Sequence, residues 1–96
     1  MEKTYMVSLC YRGGLLGGAL FIGDDRVRFG STKLQVPPEI RKFDLPFCRI
    51  RGVERSKALF LPTVTIKMED GRAWEFLVFG RGSFLKNLEQ AMEDYQ

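Results

Sequence analysis

The 96-residue chain contains no histidine. That removes the usual general base, the commonest metal ligand and any Ser/His or Cys/His couple. Cysteine is scarce, with only Cys10 and Cys48. Two thiols cannot complete a four-ligand zinc site without acidic help, and neither has a sequence neighbour that would activate it. Such sparse cysteine suits a reducing, cytoplasmic setting better than a disulfide framework. Both thiols sit in apolar strand patterns and read as small core residues. No apolar run is long enough to span a bilayer. The first residues, with Glu2, Lys3 and Thr4, lack the apolar stretch of a signal peptide. Repeats and low-complexity linkers are absent too. RGGLLGGA, from Arg12, resembles a phosphate loop in glycine content alone, because it lacks the Gly-Lys-Ser/Thr ending. Asp24 and Asp25 are adjacent carboxylates in a turn, a place for turn formers rather than a catalytic pair. These absences argue against an enzyme, and no cofactor or metal is expected.

What remains is the composition of one globular domain, 45% hydrophobic and 28% charged. The net charge is +3, and it is unevenly spread. Arg41, Lys42, Arg49, Arg51, Arg55 and Lys57 face only Asp44 and Glu54 between Arg41 and Lys57, so that segment alone carries +4. A local basic segment attracts phosphates on lipid headgroups or nucleic acid. It is equally what the wet face of an antiparallel sheet looks like.

Alternation predicts a series of strands. In KTYMVSLCYR, Tyr5, Val7, Leu9 and Tyr11 share one face. RGGLLGG reads as a flexible turn with four glycines, followed by a strand over Ala19 to Ile22. Gly23 to Asp25 is a tight turn, and RVRFG returns with Val27 and Phe29 inward. A short extended piece, KLQV, leads to Pro37-Pro38, where PPEIRK reads as a loop because prolines supply no ladder donors. KFDLPF is a further strand. In CRIRGVERS, Gly52 shifts the alternation so that both Ile50 and Val53 turn inward, which predicts a bulge. TVTIKM and AWEFLVFG flank EDGR, an Asp-Gly hairpin signal. From Ser83 the period changes. Phe84, Leu88, Ala91, Met92 and Tyr95 form one helical stripe, with Ser83 as N-cap. Glu93 and Asp94 oppose the dipole of that helix and favour fraying of its last turn. About seven strands and one amphipathic helix predict a mainly β fold, a small antiparallel sheet folded over itself with its open end plugged by the C-terminal helix.

The order of these motifs resembles the GRAM family of pleckstrin-homology-like domains, especially its bacterial members. The resemblance runs from Gly17-Gly18 through Leu20 to Ile22, Asp24-Asp25, Val27-Arg28-Phe29 and Lys33-Leu34. It continues in Leu45-Pro46-Phe47, Ile50 to Val53, Val64 to Met68, Asp70-Gly71, Trp74 to Phe79 and Phe84 to Met92. The Leu59-Phe60-Leu61 run is more apolar than the equivalent loop of that family, and Gly23 replaces the family's usual Tyr or Thr near the first turn. The resemblance implies a seven-stranded, partly open barrel or sandwich capped by the helix. It also implies a non-enzymatic role at phosphate headgroups, so a cytoplasmic protein peripheral at the membrane.

Three surfaces are candidate contacts. The first is the loop after the first strand, where Leu15 and Leu16 stand beside Arg12. The resemblance lends Arg12, Arg26 and Arg28 weight as headgroup ligands. The second is a phosphate stripe of Arg49, Arg51, Arg55 and Lys57. The third is RSKALFLP, where Leu59, Phe60 and Leu61 follow two cations. Burying Leu59 and Phe60 would stabilise the fold by about 1.5–3 kcal/mol each. Core burial, a protein interface and membrane contact all stay open for them. The expected partner is an anionic lipid headgroup or, alternatively, a partner protein or a second copy of the chain. Nucleic acid is disfavoured, because the aromatics alternate into the core and the closing helix is acidic.

Overall fold

A computed structural model describes residues 3–33, 36–58 and 60–95. Seven strands are formed: β1 (Lys3–Tyr11), β2 (Gly14–Ile22), β3 (Arg26–Gly30), β4 (Lys42–Pro46), β5 (Ile50–Ala58), β6 (Leu61–Met68) and β7 (Ala73–Val78). The helix α2 (Arg81–Tyr95) closes the chain. The strands make one antiparallel sheet in the order β4-β3-β2-β1-β7-β6-β5. Since β4 and β5 are the two edges, the sheet is not closed into a barrel. It is mainly β with one C-terminal helix, a layout compatible with a pleckstrin-homology-like sandwich. No helix among the described residues is long and apolar enough to cross a membrane.

The inner face follows from alternation. Val7 and Leu9 of β1, Leu20 and Ile22 of β2, Val27 and Phe29 of β3, and Val64 and Ile66 of β6 are all buried, as are Phe76 and Val78 of β7. Phe84 and Leu88 of α2 complete this core, with Ala91 and Met92 packed against it. Tyr5 sets its ring edge-on to Phe84, with centroids 5.2 Å apart. Asn87 donates to the Tyr5 hydroxyl and so ties the helix to β1. The predicted bulge is present, as a register shift between Ile50 and Gly52.

Four local expectations are corrected. RGGLLGG is not a flexible loop. Only Arg12 and Gly13 separate β1 from β2, with φ of 49° and 77°, the positive pair that a tight hairpin turn requires. Gly14 through Gly18 already belong to β2, so Leu15 and Leu16 point to opposite faces, Leu15 exposed and Leu16 buried. PPEIRK contains one helical turn, α1 (Pro38–Arg41), because proline suits a first helical position. α2 begins at Arg81, two residues before the expected cap. Gly80 at φ 80° turns the chain, and its carbonyl accepts from the Phe84 amide. Neither cysteine lies in the core. Cys10 is half-buried on the outer face of β1, and Cys48 is exposed in a 3-10 turn over Phe47–Arg49.

Pairing and exposure narrow the alternatives open for RSKALFLP. Arg55 to Ala58 are strand residues, paired with Val64, Thr63, Pro62 and Leu61 in turn. Ala58 and Leu61 therefore close a β5–β6 hairpin, with Phe60 at its tip. Leu59 lies outside the described residues. Phe60 is 98% exposed and is no lid over the core.

Candidate functional site

The basic residues singled out from the sequence separate into three places. Arg12 sits at the β1–β2 turn, its guanidinium 5.4 Å from the Tyr11 ring centroid. Arg26 and Arg28 lie at the opposite end of β2, where Arg28 pairs with Phe21 and the Arg26 carbonyl accepts from the Gly23 amide. A nine-residue strand separates the two ends, roughly 25 Å at the usual rise. Arg12 therefore does not converge with Arg26 and Arg28 on one headgroup.

Arg26 and Arg28 are also occupied. Arg26 Nε is 3.0 Å from Asp25 Oδ1, and its Nη1 is 3.0 Å from Asp44 Oδ2. Arg28 Nε is 3.1 Å from Asp44 Oδ1. The register explains this, since Arg28 stands directly across from Asp44 on the outer face of β3 and β4. The Asp25 carboxyl is held below the ordinary carboxylate range, chiefly by its hydrogen bond from Arg26. Arg26 is held more firmly charged by Asp25 and then by Asp44. These residues form a local ion-pair ladder rather than an open phosphate cradle.

Arg49, Arg51, Arg55 and Lys57 are all exposed, and none makes an ion pair among the described residues. They are strung along the edge strand β5 rather than clustered. Arg49 and Arg51 lie near its start, while Arg55 and Lys57 lie near the hairpin tip. The bulge decides which way they face. After Gly52, Val53 pairs with Ile66 and Arg55 with Val64, both partners being core residues. Arg55 and Lys57 therefore share the inner side of β5 with Val53, not the outer wet face that simple alternation suggests.

Toward the tip the structure adds Phe79, Met6 and Arg81, none of them singled out from the sequence, to Leu61, which the sequence does single out. Leu61 is 41% exposed, and Phe79 and Met6 are each 68% exposed. Phe79 shares one shallow groove with Met6 and another with Leu61, so an apolar ribbon crosses the outer face toward Phe60. Arg81 adds a cation there. Its Nη1 donates to the carbonyls of Ser56 at 3.1 Å and Thr63 at 3.4 Å, which ties its guanidinium to the hairpin. Met6 falls on the non-core side of the β1 alternation, and that was its one visible signal. Phe79 likewise falls on the face opposite Trp74, Phe76 and Val78 by alternation.

A second feature lies on the other side of β5. A groove of about 510 Å³ runs between β5 and α2. Ile50 and Val53 line it from the strand, and Leu85, Leu88 and Met92 from the helix. Arg51 and Arg55 border it on one wall, Glu89 and Glu93 on the other.

No family model matches the chain, and no curated protein matches it. Among solved structures, the chain is similar to the C-terminal domain of an unknown protein from Leishmania infantum, with a TM-score of 0.79 at 16% identity. The match covers 94% of this chain and 81% of that one, and it concerns the fold alone.

Proposed function

We propose that the chain is a non-enzymatic binding module, resembling GRAM domains, that docks on anionic membrane surfaces with the β5–β6 hairpin leading. The observation that carries this reading is Phe60. It stands 98% exposed at a hairpin tip, with Lys57 on the second rung of the ladder behind it, across from Pro62. An aromatic ring held in water forgoes about 1.5–3 kcal/mol of burial. A bilayer returns that energy when the apolar ring buries at the headgroup/acyl boundary. Lys57, Arg55 and Arg81 lie close enough to the tip to meet anionic headgroups while Phe60 inserts. Each cation near such a surface contributes about 1 kcal/mol, and salt screens the contribution. Leu61, Phe79 and Met6 extend the apolar contact behind the tip. Arg26 and Arg28 have no part in this surface, because their charges are spent on Asp25 and Asp44.

Co-sedimentation with phosphatidylcholine vesicles, with and without phosphatidylserine, tests the reading. Binding is expected only with the anionic lipid. It should fall with added salt and be lost in Phe60→Ser. Equal behaviour of wild type and Phe60→Ser at low salt would sink the reading.

A further inference from the structure

The outer face of the sheet is apolar and uncovered. Met6, Ser8 and Cys10 of β1 belong to it, as do Leu15, Gly17 and Ala19 of β2, because the alternate residues Val7, Leu9, Leu16 and Leu20 turn into the core. Leu77 pairs with Ser8 on this face, and Phe79 follows two positions on. Among the described residues, five of the six large hydrophobic side chains that stand exposed lie on this face or at the hairpin tip beside it: Met6, Leu15, Phe60, Leu61 and Phe79. A monomer seldom leaves such a contiguous apolar patch in water.

Knobs and a hollow lie side by side there. Met6 and Phe79, each 68% exposed, are the knobs. Next to them is a shallow groove of about 480 Å³, floored by Gly17, Ala19 and Gly30. The floor is open, for a Cβ on Gly17 or Gly30 would meet nothing within 4 Å. We propose that a second copy of this chain covers this face about a two-fold axis, with Met6 and Phe79 of each copy seated in the glycine-floored hollow of the other.

Three observations select a second copy. A two-fold interface needs a patch that complements itself, and knobs beside a hollow provide it. Charge agrees. The outer faces of β1, β2 and β7 carry one charged residue, Glu75, whose Oε2 already accepts from the Thr63 hydroxyl. Lys67 on β6 is paired with Glu54 at 2.9 Å, and Lys33 stands at the margin of the groove. Pairing two such faces desolvates no unpaired charge at their centre, whereas an acidic protein or an anionic bilayer would find no free cation there. Area is the third. β2, β1, β7 and β6 together present a face roughly 19 Å across and, over eight residues, roughly 26 Å long. That is about 500 Å² in plan, as much as a specific interface needs from each partner. The dimer does not depend on the membrane reading. One consequence does: Met6 and Phe79 stand behind the docking tip, so pairing withholds them from a bilayer.

Sedimentation equilibrium of the chain without lipid is the test. An interface this small implies a dissociation constant on the order of 10 μM. Met6→Ser and Phe79→Ser should each weaken the dimer at least about tenfold. Gly17→Leu should weaken it as much, because it fills the hollow while adding apolar surface. Its thermal midpoint reports whether the fold is kept. If that midpoint falls, the two serine variants, both at exposed positions, decide alone. Phe60→Ser should dimerise as wild type does. A wild-type chain still monomeric at about 300 μM would overturn the proposal. So would a dimer that a folded Gly17→Leu leaves intact or tightens, the result that unspecific apolar contact predicts. A dimer disrupted by Arg51→Glu and not by Phe79→Ser would place the interface on the β5 edge instead. A monomer whose Met6, Ala19 and Phe79 amides shift in NMR with phosphatidylcholine vesicles would assign the face to lipid.

Discussion

Phe43 of β4 stacks on Trp74 of β7, with ring centroids 4.2 Å apart and planes 26° apart. Three strands lie between β4 and β7 in the sheet order, so the two rings meet only because the sheet folds over itself. Phe29 extends the cluster, 5.1 Å from Phe43 and 5.7 Å from Phe76. Phe43→Ala is expected to cost about 2–3 kcal/mol, below the figure for a fully buried ring because Phe43 is half-exposed. It should also red-shift the emission of Trp74, the chain's single tryptophan. Urea titration followed by circular dichroism and by fluorescence checks both. A cost near zero would mean that the two halves are held without this cluster.

Gly17 and Gly18 are adjacent in β2 but face different constraints. A Cβ on Gly18 would press against the Gly30 carbonyl and lie 2.9 Å from the Phe29 ring, whereas a Cβ on Gly17 meets nothing within 4 Å. Gly18→Ala should therefore destabilise by about 1–3 kcal/mol, since backbone cannot move aside cheaply. Gly17→Ala should fall within about 0.5 kcal/mol of wild type. Denaturation midpoints of the two variants make the comparison. Equal midpoints would contradict the close approach of β2 to β3.

The two thiols should differ in reactivity. Burial, with a smaller contribution from Glu75, pushes the Cys10 thiol up from its ordinary value. Cys48 is exposed. Because the thiolate is the nucleophile, iodoacetamide at mildly alkaline pH should label Cys48 well before Cys10, as mass spectrometry can follow. Glu75→Gln should speed Cys10 only slightly, since burial is the larger cause. Faster labelling of Cys10 than of Cys48 would refute this.

Asp25 supplies a pH dependence whose sign is set by its pairing. Its folded pKa lies below the ordinary value of 3.8, with the Arg26 hydrogen bond the main cause. The resulting stabilisation is present above that ordinary value and is lost as pH falls through the folded value. Stability of wild type should thus drop more steeply than that of Asp25→Asn on acidification below about pH 4. The difference should be small and should shrink with salt, because the pair is exposed. Parallel slopes in urea titrations across that range would show that the pair contributes nothing.

Phe60→Ser should leave the thermal midpoint within about 1 °C of wild type. A residue 98% exposed has almost no burial to lose. A large drop in scanning calorimetry would place Phe60 in the core and remove it from any docking surface.

The glycine-rich and edge segments show where alternation stops being informative. Val7 and Leu9, Val64 and Ile66, and Phe76 and Val78 each declare their face by period two, and burial against a common core leaves no other register. RGGLLGG carries no such signal, because glycine does not mark a face. The strand continues through it nonetheless, since β1 offers an unbroken ladder from Tyr11 to Lys3. Arg55 and Lys57 follow the bulge that Gly52 marks, and the pairing of Arg55 with Val64 places them on the inner side with Val53.

The opposite fates of Arg28 and Lys57 mark the same boundary. Both read as exposed strand cations. Arg28 is neutralised because register places Asp44 across from it, sixteen residues away in sequence, at 3.1 Å. Lys57 stays without an ion pair among the described residues because its partner across the ladder is Pro62.

By itself the sequence determined the strand series, the bulge at Gly52, the closing helix and the lack of histidine chemistry, because each depends on local period or composition. Tertiary structure decided which cations are spent, that Phe60 stands in water, and that an apolar groove opens between β5 and α2. Each of these depends on which residues face one another across the ladder or across the fold, and pairing between distant segments leaves no trace in local spacing.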